Sequence, residues 1–293
     1  MKTFFTFLLL VVCGWAVAQD DLLKELESDA ESTTQLVLQT FKGSRIINGN
    51  SVETLGRGAL EFIFSHRFGR LNSGSYTLWG LDDSYVRLGL EYGITDRLGV
   101  GIGRSSYDKT FDGFVRYKLL RQSTGSRSIP VSITIFGNTA IKTSPRASDS
   151  PNVSFEDRLA FVGSLMIARK FTSHFSMQLT PVFVHRNSVN QFEENNDDIA
   201  LGVAGRYKIT RSVAFSAEFY PRLNVLDNTP YFNSVGFGVD IETGGHVFQL
   251  VFTNSLGMID RMLVAETAGD FAGGDIHFGF NITRNFQLAN RGR

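Results

Sequence analysis

Short segments of alternating character constrain this chain more than any other feature. From residue 59 onward, stretches of about ten residues alternate apolar side chains with small, polar or charged ones, as strands that cross a membrane do. The predicted strands are 59–68, 83–93, 97–106, 110–121, 130–141, 157–169, 174–185, 197–208, 213–223, 233–243, 246–255 and 273–285. We therefore predict an all-β fold in which residues 59–286 form a single antiparallel transmembrane β-barrel of about twelve strands.

The connections between these segments favour a barrel over a soluble sandwich. Both folds have strands with one apolar face, and a sandwich turns that face inward whereas a membrane barrel turns it toward lipid. Connections after the second, sixth, eighth and tenth segments are short, and most of the others are longer. Short periplasmic turns that alternate with longer outer loops are typical of bacterial outer-membrane barrels, so we expect the bacterial outer membrane as the location.

A turn signature recurs along the chain. The sequence Ile94-Thr95-Asp96-Arg97-Leu98 has the order apolar, Thr, polar, polar, apolar, and the ranges 171–175, 209–213 and 282–286 repeat it. A threonine hydroxyl can accept hydrogen bonds from backbone N–H groups of a tight turn. We expect these four copies on one side of the membrane.

Two glycines and one proline give predictions about register. Gly244-Gly245 suits a two-residue hairpin, which would pair Ile241 with Phe248, Val239 with Leu250 and Phe237 with Phe252, all on the apolar face. Pro181 lies inside the seventh segment and removes one ladder hydrogen bond, so we expect a β-bulge there.

The N-terminal residues predict export. Lys2, the apolar run from Phe4 to Val12 and Ala16-Val17-Ala18 form a secretory signal peptide over residues 1–19. Cys13, the only cysteine, leaves with this segment, so we expect no disulfide or thiolate site in the mature chain. Residues 20–58 are interpreted as a periplasmic arm or a lumen plug, which the sequence does not decide, and residues 287–293 as a C-terminal tail.

Several stretches resemble a family of bacterial β-barrel proteins that is known only as a domain of unknown function. They include 41–45, 48–53, 80–97, 253–255, 266–271 and 274–282. The resemblance covers most of the mature chain and implies an outer-membrane barrel. It implies no activity and assigns no functional residues.

The non-lipid face of the predicted strands carries charges of both signs. The candidate lumen-lining residues are Glu61, Arg67, Arg87, Glu91, Arg116, Lys118, Arg158, Arg206, Glu218, Asp240, Glu242 and His277. These side chains could line a polar pore that selects solutes, or they could form a salt-bridged filling of the lumen. Their balanced charge slightly favours a narrow or filled lumen. With a three-residue turn after the eighth strand, Arg206 would face Ser216 and lie diagonal to Glu218.

The connection 255–272 contains a candidate outer-loop contact. Met258, Ile259, Met262 and Leu263 share one helical face, which could be a lid or ligand contact, or a helix packed on the barrel rim. The net charge of zero gives no support to nucleic-acid binding, and the histidines lack the spacing of a zinc site, so we expect no cofactor.

Three functions remain open at this point. The first is a narrow passive channel or transporter for small polar solutes, and the second is a structural or surface-binding barrel with a plugged lumen. The third and most remote is a membrane lipid hydrolase that uses His277, although no nucleophile can be nominated. Outer-membrane lipid is the expected partner, and we predict that the protein is not an enzyme.

Overall fold

The fold is an antiparallel barrel that closes on itself. A computed structural model describes residues 33–144 and 154–289, so the predicted signal peptide, residues 20–32 and residues 290–293 lie outside the described residues. In the described part, twelve strands pair in a closed ring, with the last strand hydrogen-bonded to the first. This confirms the predicted fold class and strand number.

The element bounds lie close to those predicted. The barrel strands are β2 (Ala59–Arg70), β3 (Ser84–Gly93), β4 (Leu98–Ser105), β5 (Phe111–Leu120), β7 (Ser132–Ile141), β8 (Leu159–Lys170), β9 (Phe175–Arg186), β10 (Asp197–Lys208), β11 (Val213–Tyr220), β12 (Ser234–Thr243), β13 (His246–Thr253) and β14 (His277–Gln287). Two short strands, β1 (Gln35–Leu36) and β6 (Ser123–Thr124), form a separate small sheet, and one short α-helix, α1, spans Asp260–Ala265 in the described residues.

The apolar face points outward and the polar face points inward. Outward residues such as Leu88 and Ile102 are 48% and 65% exposed, whereas Glu61 and Arg67 on the inner face are fully buried. An oily face outside and charges inside are the reverse of a soluble sandwich. The predicted orientation of a membrane barrel is therefore confirmed.

The connections define the two ends of the barrel. The turn end carries the connections 94–97, 121–131, 171–174, 209–212 and 244–245. The loop end carries the connections 71–83, 106–110, 142–158, 187–196, 221–233 and 254–276. Both ends of the barrel domain, at Ala59 and Gln287, lie at the turn end.

The threonine signature makes three of its four predicted turns. Thr95 Oγ1 accepts hydrogen bonds from the backbone N–H groups of Arg97 and Leu98, at 3.2 and 2.9 Å. Thr172 and Thr210 make the same pair of bonds in their turns. The fourth copy lies at the same end of the barrel, as expected, but makes no turn, because Thr283 lies inside β14 and pairs with Val247 and Ile63 where the ring closes.

The register predictions have mixed outcomes. All three pairs predicted from Gly244-Gly245 are confirmed. The bulge predicted at Pro181 is wrong: Pro181 pairs with Leu201, and the same register continues on both sides of it. On the other side of Pro181, the β8–β9 ladder is interrupted: no residues are paired between the pair Ser164–Val182 and the pair Ile167–Leu179.

Among the described residues, no helix is both long enough and apolar enough to span a bilayer.

Candidate functional site in the lumen

A short hairpin from the N-terminal segment occupies the lumen. We call residues 41–53 the plug hairpin. Ile46 N–H donates to Gly49 O and Ser51 N–H donates to Ser44 O, both at 2.9 Å, so the chain reverses at Ile47 and Asn48. Phe41, Ile46, Ile47 and Val52 are buried inside the barrel. Within the segment 20–58, residues 41–53 therefore lie inside the barrel.

The residues just before the hairpin lie outside the lumen at the turn end. β1 pairs with β6 in the connection 121–131, and Val37 N–H donates to Gln122 O at 2.8 Å. Lys170 Nζ donates to Leu38 O at 3.1 Å. This arm holds the chain at the barrel mouth and leads directly into the plug hairpin.

The tip of the plug hairpin is held by a buried carboxylate. Glu218 on β11 is only 2% exposed, and its two oxygens accept the backbone N–H groups of Asn48 and Gly49 at 2.9 and 3.1 Å. Arg67 Nη2 donates to Asn48 Oδ1 at 2.8 Å, and Asn281 Nδ2 donates to Ile47 O at 3.0 Å. Strands β2, β11 and β14 therefore all bind the tip.

Arg116 binds one side of the plug hairpin. Its guanidinium donates to Ser44 O at 3.1 Å, to Glu53 O at 2.9 Å and to Asn50 Oδ1 at 2.8 Å. The same group forms an ion pair with Glu91, 3.0 Å from Nε to Oε1. A buried guanidinium needs several acceptors, and here the hairpin backbone supplies them together with Glu91.

Neutral side chains bind the remaining sides. Gln178 accepts from Val52 N at 2.7 Å and donates to Asn50 O at 2.8 Å. Gln249 Nε2 donates to Ile46 O at 2.6 Å, and Thr134 Oγ1 donates to Val52 O at 2.7 Å. These contacts satisfy backbone groups of the hairpin that would otherwise be buried without partners.

Ion pairs continue this network toward the turn end. Lys118 Nζ lies 3.1 Å from Glu53 Oε2, and Lys42 Nζ lies 2.9 Å from Glu242 Oε2. Arg206 Nε lies 2.9 Å from Asp240 Oδ2, and its guanidinium also contacts Glu242. The register that places Arg206 opposite Ser216 is confirmed, but Arg206 pairs with Asp240 and Glu242 on β12, and Glu218 binds the plug hairpin instead.

The connection 254–276 enters the barrel from the loop end. Met258, Ile259, Met262 and Leu263 are at most 1% exposed, so they pack inside the barrel and present no contact surface to an outside partner. Asp260 Oδ2 accepts from Asn50 Nδ2 at 2.7 Å, and Met258 O accepts from Arg45 Nη1 at 3.0 Å. The plug hairpin and this inserted loop therefore meet inside the lumen. Helical periodicity predicted that these four apolar residues share one face, but it did not predict that the loop turns into the barrel.

Glu266 fastens the inserted loop to the barrel wall. Its carboxylate lies 2.8 Å from Arg261 Nη2, 3.2 Å from Lys142 Nζ and 3.4 Å from Arg186 Nη1. Burial by itself would raise the pKa of the Glu266 carboxyl, but Arg261, Lys142 and Arg186 outweigh it and lower that pKa to about 2. The three cations therefore favour the ionised form of Glu266.

The structure places most of the candidate lumen residues on the inner face. The side chains that point inward are those of Glu61, Arg67, Arg87, Glu91, Arg116, Lys118, Arg206, Glu218, Asp240, Glu242 and His277. Arg158 does not line the lumen, because β8 begins one residue later and Arg158 lies in a short 3₁₀-helix at the loop end, where Nη1 donates to Ser144 O at 3.2 Å. Arg87 pairs with Asp112 on β5 at 2.6 Å, on the inner face of the wall.

Sequence reasoning missed the residues that bind the plug hairpin without carrying charge. Thr134, Gln178, Gln249 and Asn281 have inward parity, and a search limited to charged residues passes over them. The sequence did contain a signal for them: amide side chains alternate with lipid-facing apolar residues along these strands. Such amides are buried and need hydrogen-bond partners inside the barrel.

Free space remains chiefly at the turn end. A cavity of about 790 Å³ opens there, and Thr54, Arg57, Lys118, Arg121 and Gln287 are among its lining residues. The spaces beside the hairpin are far smaller, at about 40 and 30 Å³. The cavity at the turn end therefore extends to residues 41–44 at the base of the plug hairpin.

The described residues give no support for a catalytic or metal site. His277 Nδ1 bonds to Phe68 O at 2.9 Å, and in the described part of the chain no serine hydroxyl is hydrogen-bonded to this ring. Within the same residues, no group of three or more His, Cys, Asp or Glu side chains could hold a metal ion.

A closed antiparallel ring with an apolar exterior and a polar, occupied lumen defines a plugged membrane β-barrel. Residues 41–286 match the family model described as "Membrane bound beta barrel domain (DUF5777)", and the chain belongs to that family. The suspected family resemblance is therefore confirmed.

Comparison with solved structures gives distant likenesses. The NanC porin aligns with a TM-score of 0.49 and 11% sequence identity, over 78% of this chain and 100% of its own. The KdgM porin aligns with a TM-score of 0.46 and 9% identity, over 78% of this chain and 99% of its own. An outer membrane channel from Pseudomonas putida F1 aligns with a TM-score of 0.47 and 14% identity, over 80% and 98%. A comparison with curated protein sequences gives no significant match.

Proposed function

We propose that this chain is an exported outer-membrane barrel with a gated lumen, which passes small polar solutes only when the plug hairpin leaves. The observation that carries the proposal is the kind of contact that holds the hairpin. Its tip and sides bind the wall mainly through hydrogen bonds and ion pairs, including those of Glu218, Arg116 and Gln178. Water can replace such contacts at modest net cost, whereas an apolar core cannot be exchanged for water so easily.

The inner wall suits an aqueous passage once the hairpin has left. Arg67, Arg116 and Glu218 would then face water, and charged walls favour polar solutes over apolar ones. The cavity of about 790 Å³ at the turn end already admits solvent to the base of the hairpin. By the loop-length argument, this end faces the periplasm.

The second candidate function is a permanently plugged barrel with a structural or surface-binding role. An apolar cluster favours it, because Phe41, Ile46, Ile47 and Val52 of the hairpin region pack with wall residues that include Phe114, Phe136 and Met166. The inserted loop also enters the lumen from the loop end and hydrogen-bonds to the hairpin through Asp260 and Met258. Both features oppose movement of the hairpin.

A cross-linking experiment separates the two functions. Asn48 Nδ2 lies 3.3 Å from Thr253 Oγ1, and the described residues contain no cysteine, so Asn48→Cys with Thr253→Cys gives a defined pair on the hairpin and the wall. We expect the unlinked protein to show voltage-induced openings in planar bilayers, and a short bifunctional thiol reagent to abolish them. A protein that never conducts until residues 41–53 are deleted would refute gating and favour the permanent plug.

A further inference from the structure

Two arginines at the turn end have an aromatic partner but no anion. Arg169 Cζ lies 5.3 Å from the ring centroid of Phe171, and Arg284 Cζ lies 4.8 Å from that of Phe286. Within residues 33–144 and 154–289, neither guanidinium has a hydrogen bond or an ion pair, although each carries five N–H donors. Both side chains therefore present unused donors to their surroundings.

Both pairs lie on the lipid-facing surface where the strands reach the turn end. Arg169 is the next-to-last residue of β8 and shares its face with Phe161 and Ile167. Arg284 lies near the end of β14 on the same face as Phe280 and Ile282. Aromatic rings concentrate at the membrane boundary, and an arginine there extends its charged end toward the headgroups.

The two pairs are well separated around the barrel. In the ring of strands, β8 and β14 stand on opposite sides, with β9 to β13 between them in one direction and β2 to β5 and β7 in the other. One lipid molecule therefore cannot contact both pairs.

The surrounding charge at this end favours an anion. In the described residues, the turn-end connections carry Arg97, Arg121, Arg127 and Arg211 against the single acid Asp96. The described loop-end connections instead carry twelve acidic residues against five Lys and Arg. Anionic headgroups are attracted to basic residues within about a Debye length of the surface, so they are favoured at the turn end.

We propose that Arg169–Phe171 and Arg284–Phe286 are two binding sites for the headgroup phosphate of an anionic phospholipid. A guanidinium fits two phosphate oxygens with parallel N–H donors, and the ring beneath fixes its position through a cation–π contact. The acyl chains then lie along the apolar outward residues of β8 and β14. The sites do not depend on whether the lumen opens.

Native mass spectrometry of the folded barrel released from nanodiscs tests the proposal. With equal phosphatidylglycerol and phosphatidylcholine, we expect the wild-type protein to retain up to two phosphatidylglycerol molecules. The double variant Arg169→Gln with Arg284→Gln should retain each roughly tenfold more weakly, since hydrogen bonds between charged partners are lost.

The chain offers a control with the same change in charge. Arg127 and Arg211 are exposed at the turn end, and in the described residues neither lies over an aromatic ring, so Arg127→Gln with Arg211→Gln should leave retention unchanged. Arg104, which lies over Phe111 at the acidic loop end, provides a second comparison, and Arg104→Gln should have little effect. Equal loss in the control pair, or no loss in the Arg169 and Arg284 variant, would overturn the proposal. Heat-dependent gel mobility verifies that each variant is folded.

Discussion

The buried carboxylate at the tip of the plug hairpin gives the sharpest test of gating. In Glu218→Gln, one of the two oxygens that accept Asn48 N–H and Gly49 N–H becomes an amide that cannot accept. The side chain keeps almost the same shape, so packing against the hairpin is unchanged. The binding of the tip is weakened, and the buried Arg67 also loses the negative charge beside it.

The size of the effect follows from these two bonds. A hydrogen bond to a charged group contributes about 1.5–3 kcal/mol, and a neutral amide oxygen retains part of one bond. A neutral side chain also costs less to bury than a carboxylate, which offsets some of the loss. We expect the docked hairpin to lose about 2 kcal/mol, which raises the undocked population roughly 30-fold.

Single-channel recording in planar bilayers measures this population as open probability. Asp198→Asn is the matched control, because Asp198 belongs to an equally buried ion pair with Arg186, and in the described residues no hydrogen bond or ion pair joins Asp198 to the hairpin. Open probability should rise in Glu218→Gln and remain near the wild-type value in Asp198→Asn. Equal open probability in Glu218→Gln and the wild type would contradict the role of the tip contacts in closing the lumen.

Three further predictions concern the inserted loop, the plug hairpin and the turns. The pKa of Glu266 is lowered on folding, so the stabilisation that Glu266 gives to the inserted loop is present above the ordinary carboxyl range and is lost as the pH falls toward 2. Pepsin should therefore cut residues 254–267 near pH 2 but hardly at pH 4. An unstructured peptide of the same sequence is the control for pepsin activity. Gln178→Leu leaves two backbone groups of the hairpin without partners, which should cost about 2–4 kcal/mol of docking and increase protease access to residues 41–53, whereas Gln191→Leu in an exposed loop should not. Thr172→Val removes the acceptor of two turn bonds and should lower the urea midpoint of the detergent-solubilised barrel by an amount that corresponds to about 1 kcal/mol, and an unchanged midpoint would refute the proposed role of the hydroxyl.

The barrel wall could be predicted from the sequence because its rule is local. Each strand repeats a two-residue period, so Phe237 and Phe252 must share a face with their neighbours, and the turn at Gly244-Gly245 then fixes their pairing. The same parity placed Glu218 and Arg116 on the inner face. Local rules fail where the wall closes, since Thr283 carries a turn signature but continues as strand because β2 lies beside it.

The contents of the lumen were decided only by the tertiary structure. Residues 41–53 have no strong periodicity, and their backbone groups gain partners only from Glu218, Arg116 and Gln178, which are distant in sequence. Likewise, Met262 and Leu263 point into the barrel because Glu266 forms ion pairs with Lys142 and Arg186 of the wall. Sequence alone therefore determined which face of each strand meets lipid, because the alternation of apolar and polar side chains along a strand is a local pattern. What fills the enclosed space depends on contacts between remote segments, which no local pattern encodes.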